Sequence, residues 1–203
     1  METTKSRKPR RHLRSRKTRR LILDNAKEVF IAEGYSKTTI EKIRVKTGVG
    51  YATVFSHFKG KDDILTNIVT SYFNDFFESQ DKLKEPRNEE QLIKAYKEFI
   101  LSLLELGKEQ KAIMKVYQDA LIQSFIVADH WEHVANNLCE SIACSLTENQ
   151  GDGLVRDFDV FEGTKVITRL LSALFWDTVN KKDDDLEGAA NAAVDIIFRG
   201  ILR

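Results

Sequence analysis

The chain of 203 residues is 42% hydrophobic and 31% charged, and it contains only two prolines and ten glycines. A chain of this length can bury the core of one large or two smaller domains, and the scarcity of helix-breaking residues favours helices. We therefore expect an all-α fold. The most apolar segment, residues 166–176, is interrupted by Arg169 and is too short to cross a bilayer, which excludes a membrane-spanning class and predicts a cytoplasmic protein.

Positive charge is concentrated at the N-terminus. The first 20 residues carry ten lysines and arginines against one acid, Glu2, a net charge of +9. The whole chain has a net charge of +1, so the remaining residues carry +1 − 9 = −8. A basic run of this density is typical of a solvated, disordered tail that binds a polyanion. We predict a disordered basic arm over residues 1–18.

Apolar residues at helical spacing predict a first helix that begins at Arg19 and ends at Gly34. A second helix follows at once. Thr38 is predicted to cap it and Glu41 to reach back to the cap, which together make a capping box. The second helix is short, because two glycines within residues 47–50 allow the chain to reverse its direction.

A third helix is predicted over residues 50–57. Its spacing turns Val54 and Phe58 toward the apolar residues of the first two helices and leaves the other side chains outside. Two short helices joined by a glycine turn, with an apolar anchor within the turn, are typical of a helix-turn-helix. Taken alone this pattern is only moderately specific, since other small three-helix units share it.

A wider motif covers the same segment and consists of Arg20-Leu21-Ile22, Ala26, Phe30, Gly34-Tyr35, Thr38-Thr39-Ile40, Ile43, Gly48-Val49, Thr53-Val54-Phe55, His57-Phe58-Lys59 and Lys61-Asp62. This motif resembles the N-terminal domain of the TetR family of bacterial transcriptional regulators. The resemblance implies a helix-turn-helix DNA-binding domain over residues 19–65 and a helical ligand-binding and dimerisation domain over residues 66–203. It also implies a homodimer that binds a palindromic operator in double-stranded DNA.

Family roles, carried over by position, place the third helix in the major groove. The residues expected to contact base edges are Tyr51, Ala52 and Thr53. The residues expected at the DNA backbone are Thr39, Arg44, Phe55, Ser56, His57 and Lys61. Arg44 departs from the family pattern and faces either a phosphate or only solvent, and Phe55 lacks the hydroxyl of the usual tyrosine. The arm residues expected to contact DNA are Arg7, Lys8, Arg10, Arg11, Arg14, Arg16 and Lys17.

Six further helices are predicted after the helix-turn-helix. They cover residues 64–77, 88–106, 109–125, 129–147, 159–180 and 185–202, with a loop of glycine and aspartate over residues 150–157. The first of these six links the two domains. In the resembled family a shift of this linking helix changes the separation of the two DNA-contacting heads, which implies the route by which a bound ligand affects DNA binding.

Aromatic residues are numerous in the second half, and they predict either a cavity for a small, mainly apolar effector or an ordinary core. The candidate pocket residues are Phe99, Tyr117, Phe125, Trp131, Phe161, Arg169 and Trp176. The resemblance implies that the last two helices pair between subunits in a four-helix bundle. The candidate dimer residues are Leu170, Leu174, Phe175, Ala189, Ala193, Ile196 and Ile197. The alternative is that this face packs inside one subunit.

Motifs for catalysis and cofactor binding were sought and not found, so we expect neither an enzyme nor a cofactor. His130 and His133 have a spacing that can hold a metal, but without an added carboxylate we predict no metal site. Cys139 and Cys144 lie on different faces of one helix and are expected to be reduced thiols. The helix-turn-helix motif, the basic arm and the acidic helical second half favour a repressor that a small effector releases from DNA. The alternative is a DNA-bound interaction factor, in cell division or nucleoid organisation, that takes no effector.

Overall fold

The computed structural model describes residues 8–78, 86–181 and 185–201. In these ranges the chain folds into helices α1 (Lys8–Lys37), α2 (Ile40–Thr47), α3 (Tyr51–Phe55), α4 (Lys61–Glu78), α5 (Glu89–Glu109), α6 (Lys111–Leu121), α7 (Phe125–Gly151), α8 (Val160–Asn180) and α9 (Leu186–Ile201). The prediction of an all-α fold is confirmed. Each of these helices is too short or too polar to cross a membrane, which holds for the described ranges.

The N-terminal basic residues belong to α1, which begins at Lys8. This helix corrects the prediction of a disordered arm over residues 1–18, for the part of the arm that the structure describes. Arginine and lysine are good helix formers, and Pro9 lies in the first turn, where its missing N–H leaves no helical hydrogen bond unmade. The arm residue Arg7 lies outside the described residues. At its other end α1 is interrupted at Gly34, whose φ is 75°.

Helices α1, α2 and α3 pack around a small apolar centre and form the helix-turn-helix. Its buried side chains are those of Ile22, Ala26, Phe30, Ile43, Val54 and Phe58. The inward positions of α3 are therefore those that the spacing predicted. Gly48 ends α2 with a φ of 71°, a left-handed conformation that strongly favours glycine. The third helix is shorter than predicted and spans only Tyr51–Phe55.

The cap of α2 differs from the prediction. Thr39 is the N-cap, and its hydroxyl oxygen accepts a hydrogen bond from the backbone N–H three residues later at 3.2 Å. Thr38 is buried, and its hydroxyl donates to the Gly34 carbonyl oxygen at 2.7 Å. The Glu41 carboxylate pairs with Arg44 and does not reach back. The capping-box prediction was wrong because either of two adjacent threonines can cap a helix. The turn at Gly34 places the first of them, Thr38, in the core.

The second half of the chain shares its core with the helix-turn-helix. One continuous cluster of buried apolar side chains runs from α1 to α9. Helix α1 packs against α2, α4 and α6, while α5 packs against α8 and α9. Helices α5 and α8 approach closely, because a Cβ on Gly107 would lie 3.1 Å from the Phe175 ring. The linking helix α4 also contacts α7, so it has neighbours in both halves.

The break between α6 and α7 falls earlier than predicted. The sequence placed one helix over residues 109–125 and the next over residues 129–147, whereas α7 begins at Phe125. Ser124 is the N-cap, and its hydroxyl oxygen accepts a hydrogen bond from the Val127 N–H at 3.3 Å. This cap sets the helix start four residues before the predicted one.

Candidate nucleic-acid interface

Helix α3 presents two aromatic rings to solvent. Tyr51 is 47% and Phe55 54% exposed, and their rings are stacked with centroids 6.2 Å apart. Ala52 is also exposed, and Thr53 is half-buried beside it. The inner face of the helix is held by Val54, which is fully buried. A short helix anchored on one face and exposed on the other has the shape that enters a major groove.

Arg44 of α2 is held at the surface of the domain by contacts with neighbouring residues. Its Nε and Nη2 donate to the two Glu41 carboxylate oxygens at 2.8 and 2.7 Å, and its guanidinium carbon lies 5.3 Å from the centroid of the Tyr51 ring. The hydrogen bonds from Arg44 lower the pKa of Glu41 to about 2. Interaction with Glu41 raises the pKa of both Arg44 and Tyr51. Arg44 thus faces a carboxylate and a ring, where the sequence predicted a phosphate or solvent.

The other residues predicted at the DNA backbone lie in two settings. Thr39 and Ser56 are exposed, and the Ser56 hydroxyl donates to a carbonyl oxygen of α3 at 2.7 Å. His57 is half-buried. Lys61 contacts the end of α1. Its Nζ donates to the Tyr35 carbonyl oxygen at 2.9 Å and lies 4.1 Å from the centroid of the Tyr35 ring. The sequence predicted a DNA-backbone contact for Lys61, and in the structure its ammonium group is hydrogen-bonded within the protein.

The basic face of α1 continues beside the helix-turn-helix. Arg14, Arg16 and Lys17 are exposed along it. Arg19 instead points inward and donates to the Asn67 Oδ1 atom at 2.6 Å, which links α1 to α4. The arm residues whose side chains lie outside the described part are Lys8, Arg10 and Arg11. The described part of the basic segment is therefore a solvent-facing helix joined to the DNA-binding domain.

Asp62, in the first turn of α4, connects three elements. Its carboxylate accepts hydrogen bonds from the Tyr35 hydroxyl at 2.8 Å and from the Ser124 hydroxyl at 3.0 Å. Tyr35 follows the interruption of α1, and Ser124 caps α7. Burial, and then the hydrogen bond with Asp62, raise the pKa of Tyr35. Sequence reasoning missed this link, because no local pattern relates two residues 62 positions apart.

His130 makes a second connection between α7 and α4. Its Nε2 lies 2.7 Å from the Thr70 hydroxyl oxygen, and its Nδ1 lies 2.6 Å from the Tyr117 hydroxyl oxygen. Each hydroxyl also has a carbonyl acceptor nearby, Thr66 for Thr70 at 2.8 Å and Val127 for Tyr117 at 3.2 Å, and in the neutral ring one nitrogen donates while the other accepts. Burial is the main cause that lowers the pKa of His130. Helices α4, α6 and α7 therefore meet at one imidazole.

The two histidines considered for a metal face different surroundings. Both ring nitrogens of His130 are used by protein hydroxyls, while His133 is exposed and its Nδ1 lies 2.7 Å from the Asp129 carbonyl oxygen. In the described ranges, no group of three or more histidine, cysteine, aspartate or glutamate side chains is placed to hold a metal. Cys139 is half-buried, and Cys144 is exposed with its sulfur 3.6 Å from the Glu148 Oε1 atom.

The helix-turn-helix and its junction to α4 are the part of the chain that a known family matches. Residues 22–68 match the family model of bacterial regulatory proteins, tetR family. This segment therefore has the sequence of a tetR-family DNA-binding region. The matched segment runs from the first helix through α2 and α3 into α4, so it contains both the exposed face of α3 and Asp62. The resemblance drawn from the sequence motif is thereby confirmed, and with it DNA-binding transcription regulation.

Full-length comparisons agree with this assignment. The chain is 24% identical over 162 residues to the uncharacterized HTH-type transcriptional regulator YhgD of Bacillus subtilis, a match that covers 78% of this chain and 83% of that protein. SmeT, the repressor of the Stenotrophomonas maltophilia multidrug efflux pump SmeDEF, has the same fold, with a TM-score of 0.72, 19% identity and coverage of 91% and 90%. The SmeT–triclosan complex matches with a TM-score of 0.73, 20% identity and 92% coverage of each chain.

Aromatic residues of the second half of the chain and of α4 pack on one another. We call Phe73, Tyr117, Trp131, Phe175 and Trp176 the aromatic cluster. Trp131 is central to it, with ring centroids at 4.9 Å from Trp176, 5.9 Å from Phe73 and Phe175, and 6.3 Å from Tyr117. The cluster joins α4, α6, α7 and α8. These contacts run through the same helices that His130 connects.

The predicted pocket residues are only partly brought together. Tyr117, Trp131 and Trp176 belong to the aromatic cluster, and Phe99 is buried against Phe76 at 5.2 Å between ring centroids. The remaining three are on the surface: Phe125 is 83% exposed, Phe161 is 65% exposed and Arg169 is exposed. They cannot line a cavity within one subunit, because they lie on the outward sides of α7 and α8. Periodicity marked them as apolar or charged helix positions but did not reveal which side faced solvent.

The predicted dimer residues also divide into two groups. Phe175, Ala193 and Ile197 are buried inside the subunit, which corrects the prediction that they face a partner. Their burial follows from the close packing of α5 against α8 and α9. The half-buried members are Leu170, Leu174 and Ala189. Ile196 is 66% exposed, and Val166, which was not predicted, is 64% exposed.

Proposed function

We propose that this TetR-family chain is a homodimeric repressor that binds a palindromic operator and is released from it by a small, mainly apolar effector. The proposed location is the cytoplasm, at the nucleoid when the protein holds DNA. The observation that carries the effector response is the pair of links from α7 to α4, Ser124 with Asp62 and His130 with Thr70. Because α4 follows α3 along the chain, a shift of α7 moves the support of the DNA-contacting helix.

The proposed base contacts are Tyr51, Ala52 and Thr53. The Ala52 side chain and the Thr53 methyl group are suited to thymine methyl groups in the major groove. The residues proposed to position the DNA backbone are Thr39, Phe55, Ser56, His57 and Lys61. The exposed basic residues of α1 are proposed to bind phosphates of any sequence. In this proposal residues 19–65 form the DNA-binding domain and residues 66–203 the effector and dimer domain.

The aromatic cluster supports an effector that is mainly apolar. A ligand that enters between these helices gains contact with flat apolar rings, and it must displace Trp131 to do so. Trp131 follows His130 directly in α7, so its displacement disturbs the hydrogen bonds to Thr70 and Tyr117. SmeT, which has the same fold, is described in complex with triclosan. Effector binding and the link to α4 are thus proposed to use one helix.

Pairing of two subunits is proposed through the outward side of α8 and α9. Val166 and Ile196 are exposed apolar residues of α8 and α9, and the half-buried residues Leu170, Leu174 and Ala189 are proposed to complete the contact. A symmetric dimer presents two α3 helices to successive major grooves on one face of DNA, about 34 Å apart. The proposed operator is palindromic because its two halves then meet identical helices.

The test is genome-wide binding of the tagged protein, compared with Tyr51→Ala and Thr53→Ala. We expect a few palindromic sites that both variants lose, because each removes a proposed base contact. Ile122→Ala is the matched control, since Ile122 is 88% exposed in the link between α6 and α7 and is not a proposed DNA contact. No enrichment of the wild-type protein, or the same sites in all four proteins, would contradict the proposed DNA contacts.

The second candidate is a DNA-bound interaction factor that takes no effector. The observation that favours it is the close packing of the aromatic cluster, in which Trp131 already contacts four rings. Many dispersed genomic sites, together with no thermal stabilisation by a panel of apolar compounds, would favour this candidate. A few operators and one compound that both raises Tm and lowers occupancy would favour the repressor.

A further inference from the structure

Glu41 is an acid on the side of the domain that is proposed to meet DNA. Its carboxylate holds the Arg44 guanidinium through two hydrogen bonds, and that guanidinium lies against the ring of Tyr51. Tyr51 in turn stacks on Phe55, with the two ring planes at 9°. A chain of contacts therefore runs from α2 into the exposed face of α3. We call Glu41, Arg44 and Tyr51 the clamp.

The clamp changes what Arg44 can do. A guanidinium whose Nε and Nη2 both donate to one carboxylate has its charge balanced and two of its five N–H donors occupied. The pKa of Glu41, at about 2, keeps the carboxylate ionised throughout the physiological range. The pair is partly exposed and adds little to folding stability. Its consequence therefore lies in DNA binding, where a free arginine would attract the phosphates of any sequence.

We propose that Glu41 is a positioning residue that sets DNA specificity, because it withholds Arg44 from phosphates and fixes Tyr51 for base contact. An acid near DNA weakens binding to every sequence through repulsion. Such an acid raises the ratio of specific to non-specific affinity when the attraction that is lost is the same for every sequence and the contact that is kept depends on the bases. This inference rests on the proposed base-contacting role of α3 and adds the residue that orients it.

The test measures affinity against salt concentration for two duplexes, one with a site recovered by genome-wide mapping and one with the same bases scrambled. Glu41→Gln keeps the shape of the side chain and frees Arg44 for a phosphate. We expect its log-log salt dependence to steepen by about 0.9, the value for one added phosphate contact, on both duplexes. We also expect the ratio of specific to scrambled affinity to fall at least fivefold.

Arg44→Ala distinguishes the clamp from a simple phosphate contact. In the wild-type background we expect the salt slope to stay unchanged while the affinity ratio falls, because Tyr51 loses its support. In the Glu41→Gln background the same substitution should return the slope to the wild-type value. If Arg44→Ala flattens the wild-type slope by about 0.9, Arg44 already binds a phosphate and the proposal is overturned.

Glu28→Gln is the matched control for charge. Glu28 pairs with Lys46 at 2.8 Å, a pair that shares no residue with the clamp, so this variant changes the net charge equally and leaves the clamp intact. We expect Glu28→Gln to keep the wild-type ratio of specific to scrambled affinity. An equal fall of this ratio in Glu28→Gln and Glu41→Gln would overturn the proposal. If the wild-type protein itself does not separate the two duplexes, the proposed function fails. If it does and Glu41→Gln changes neither slope nor ratio, only the clamp fails.

Discussion

Two pairs of aromatic rings lie in contrasting settings in this molecule. On α3, Tyr51 and Phe55 stack at 6.2 Å while each stays about half exposed. In the second half, Trp131 and Trp176 lie at 4.9 Å and are surrounded by Phe175 and the rest of the aromatic cluster. The first pair is available to another molecule without any rearrangement. The second pair is available only to a ligand that replaces the contacts these rings already make. The function of this pair therefore depends on the helices that the aromatic cluster joins.

The largest expected difference between the two settings is in stability. Phe175→Ala removes a ring that is 1% exposed and should lower the free energy of unfolding by about 3–5 kcal/mol. Phe55→Ala removes a ring that is 54% exposed and should change it by less than about 0.5 kcal/mol. Urea denaturation at one protein concentration measures both. Equal losses in the two variants would show that the α3 rings are part of the core.

A smaller effect is expected at the junction that joins the two regions. Asp62→Ala leaves the hydroxyls of Tyr35 and Ser124 without their acceptor and should cost about 1–3 kcal/mol of unfolding free energy. Asp24→Ala is the control, because its ion pair with Arg20 is exposed and 3.7 Å long. Asp24→Ala should lower the free energy of unfolding by less than about 1 kcal/mol. If the two losses are the same, Asp62 does not connect the regions energetically.

The cap of α2 supports the α3 side of the comparison. Thr39→Ala removes the oxygen that accepts from the Lys42 N–H and should lower the unfolding free energy by about 1 kcal/mol. Thr39→Ser retains the cap and should stay close to wild type in the same urea titration. Loss in both variants would mean that the methyl group, and not the cap, carries the effect.

The smallest effect is confined to acid pH and concerns His130. Because its folded-state pKa lies below the ordinary 6.5, the unfolded chain binds more protons than the folded chain between those two values. The stability from neutral His130 is therefore complete above pH 6.5 and is lost as pH falls through the window below it. His130→Gln should reduce this loss. His133→Gln removes a neighbouring charge that contributes less than burial to the lowered pKa of His130, so it should retain most of the loss. Urea titrations from neutral to acid pH measure it, and an unchanged loss in His130→Gln would contradict the assignment.

Sequence reasoning succeeded where local chemistry decides the structure. Gly34 and Gly48 were predicted to end α1 and α2, and both have a positive φ that other residues rarely adopt. Sequence reasoning was wrong where two adjacent residues could fill the same role, as with Thr38 and Thr39 at the N-terminal cap of α2. Helical spacing placed Phe125 on an amphipathic helix, but the apolar cluster of the subunit faces its other side. Periodicity predicts that a helix has faces and does not tell which one meets a neighbour.

The sequence by itself determined the helical class, the helix-turn-helix with its buried anchors, and the match of that segment to the tetR family, because these depend on residues close together in the chain. Only the tertiary structure decided that Asp62 meets Ser124, that His130 lies between Thr70 and Tyr117, and that Glu41 holds Arg44 against the base-contacting helix. Hydrogen bonds of this kind depend on how helices cross, and helix crossing is set by the packing of the whole core.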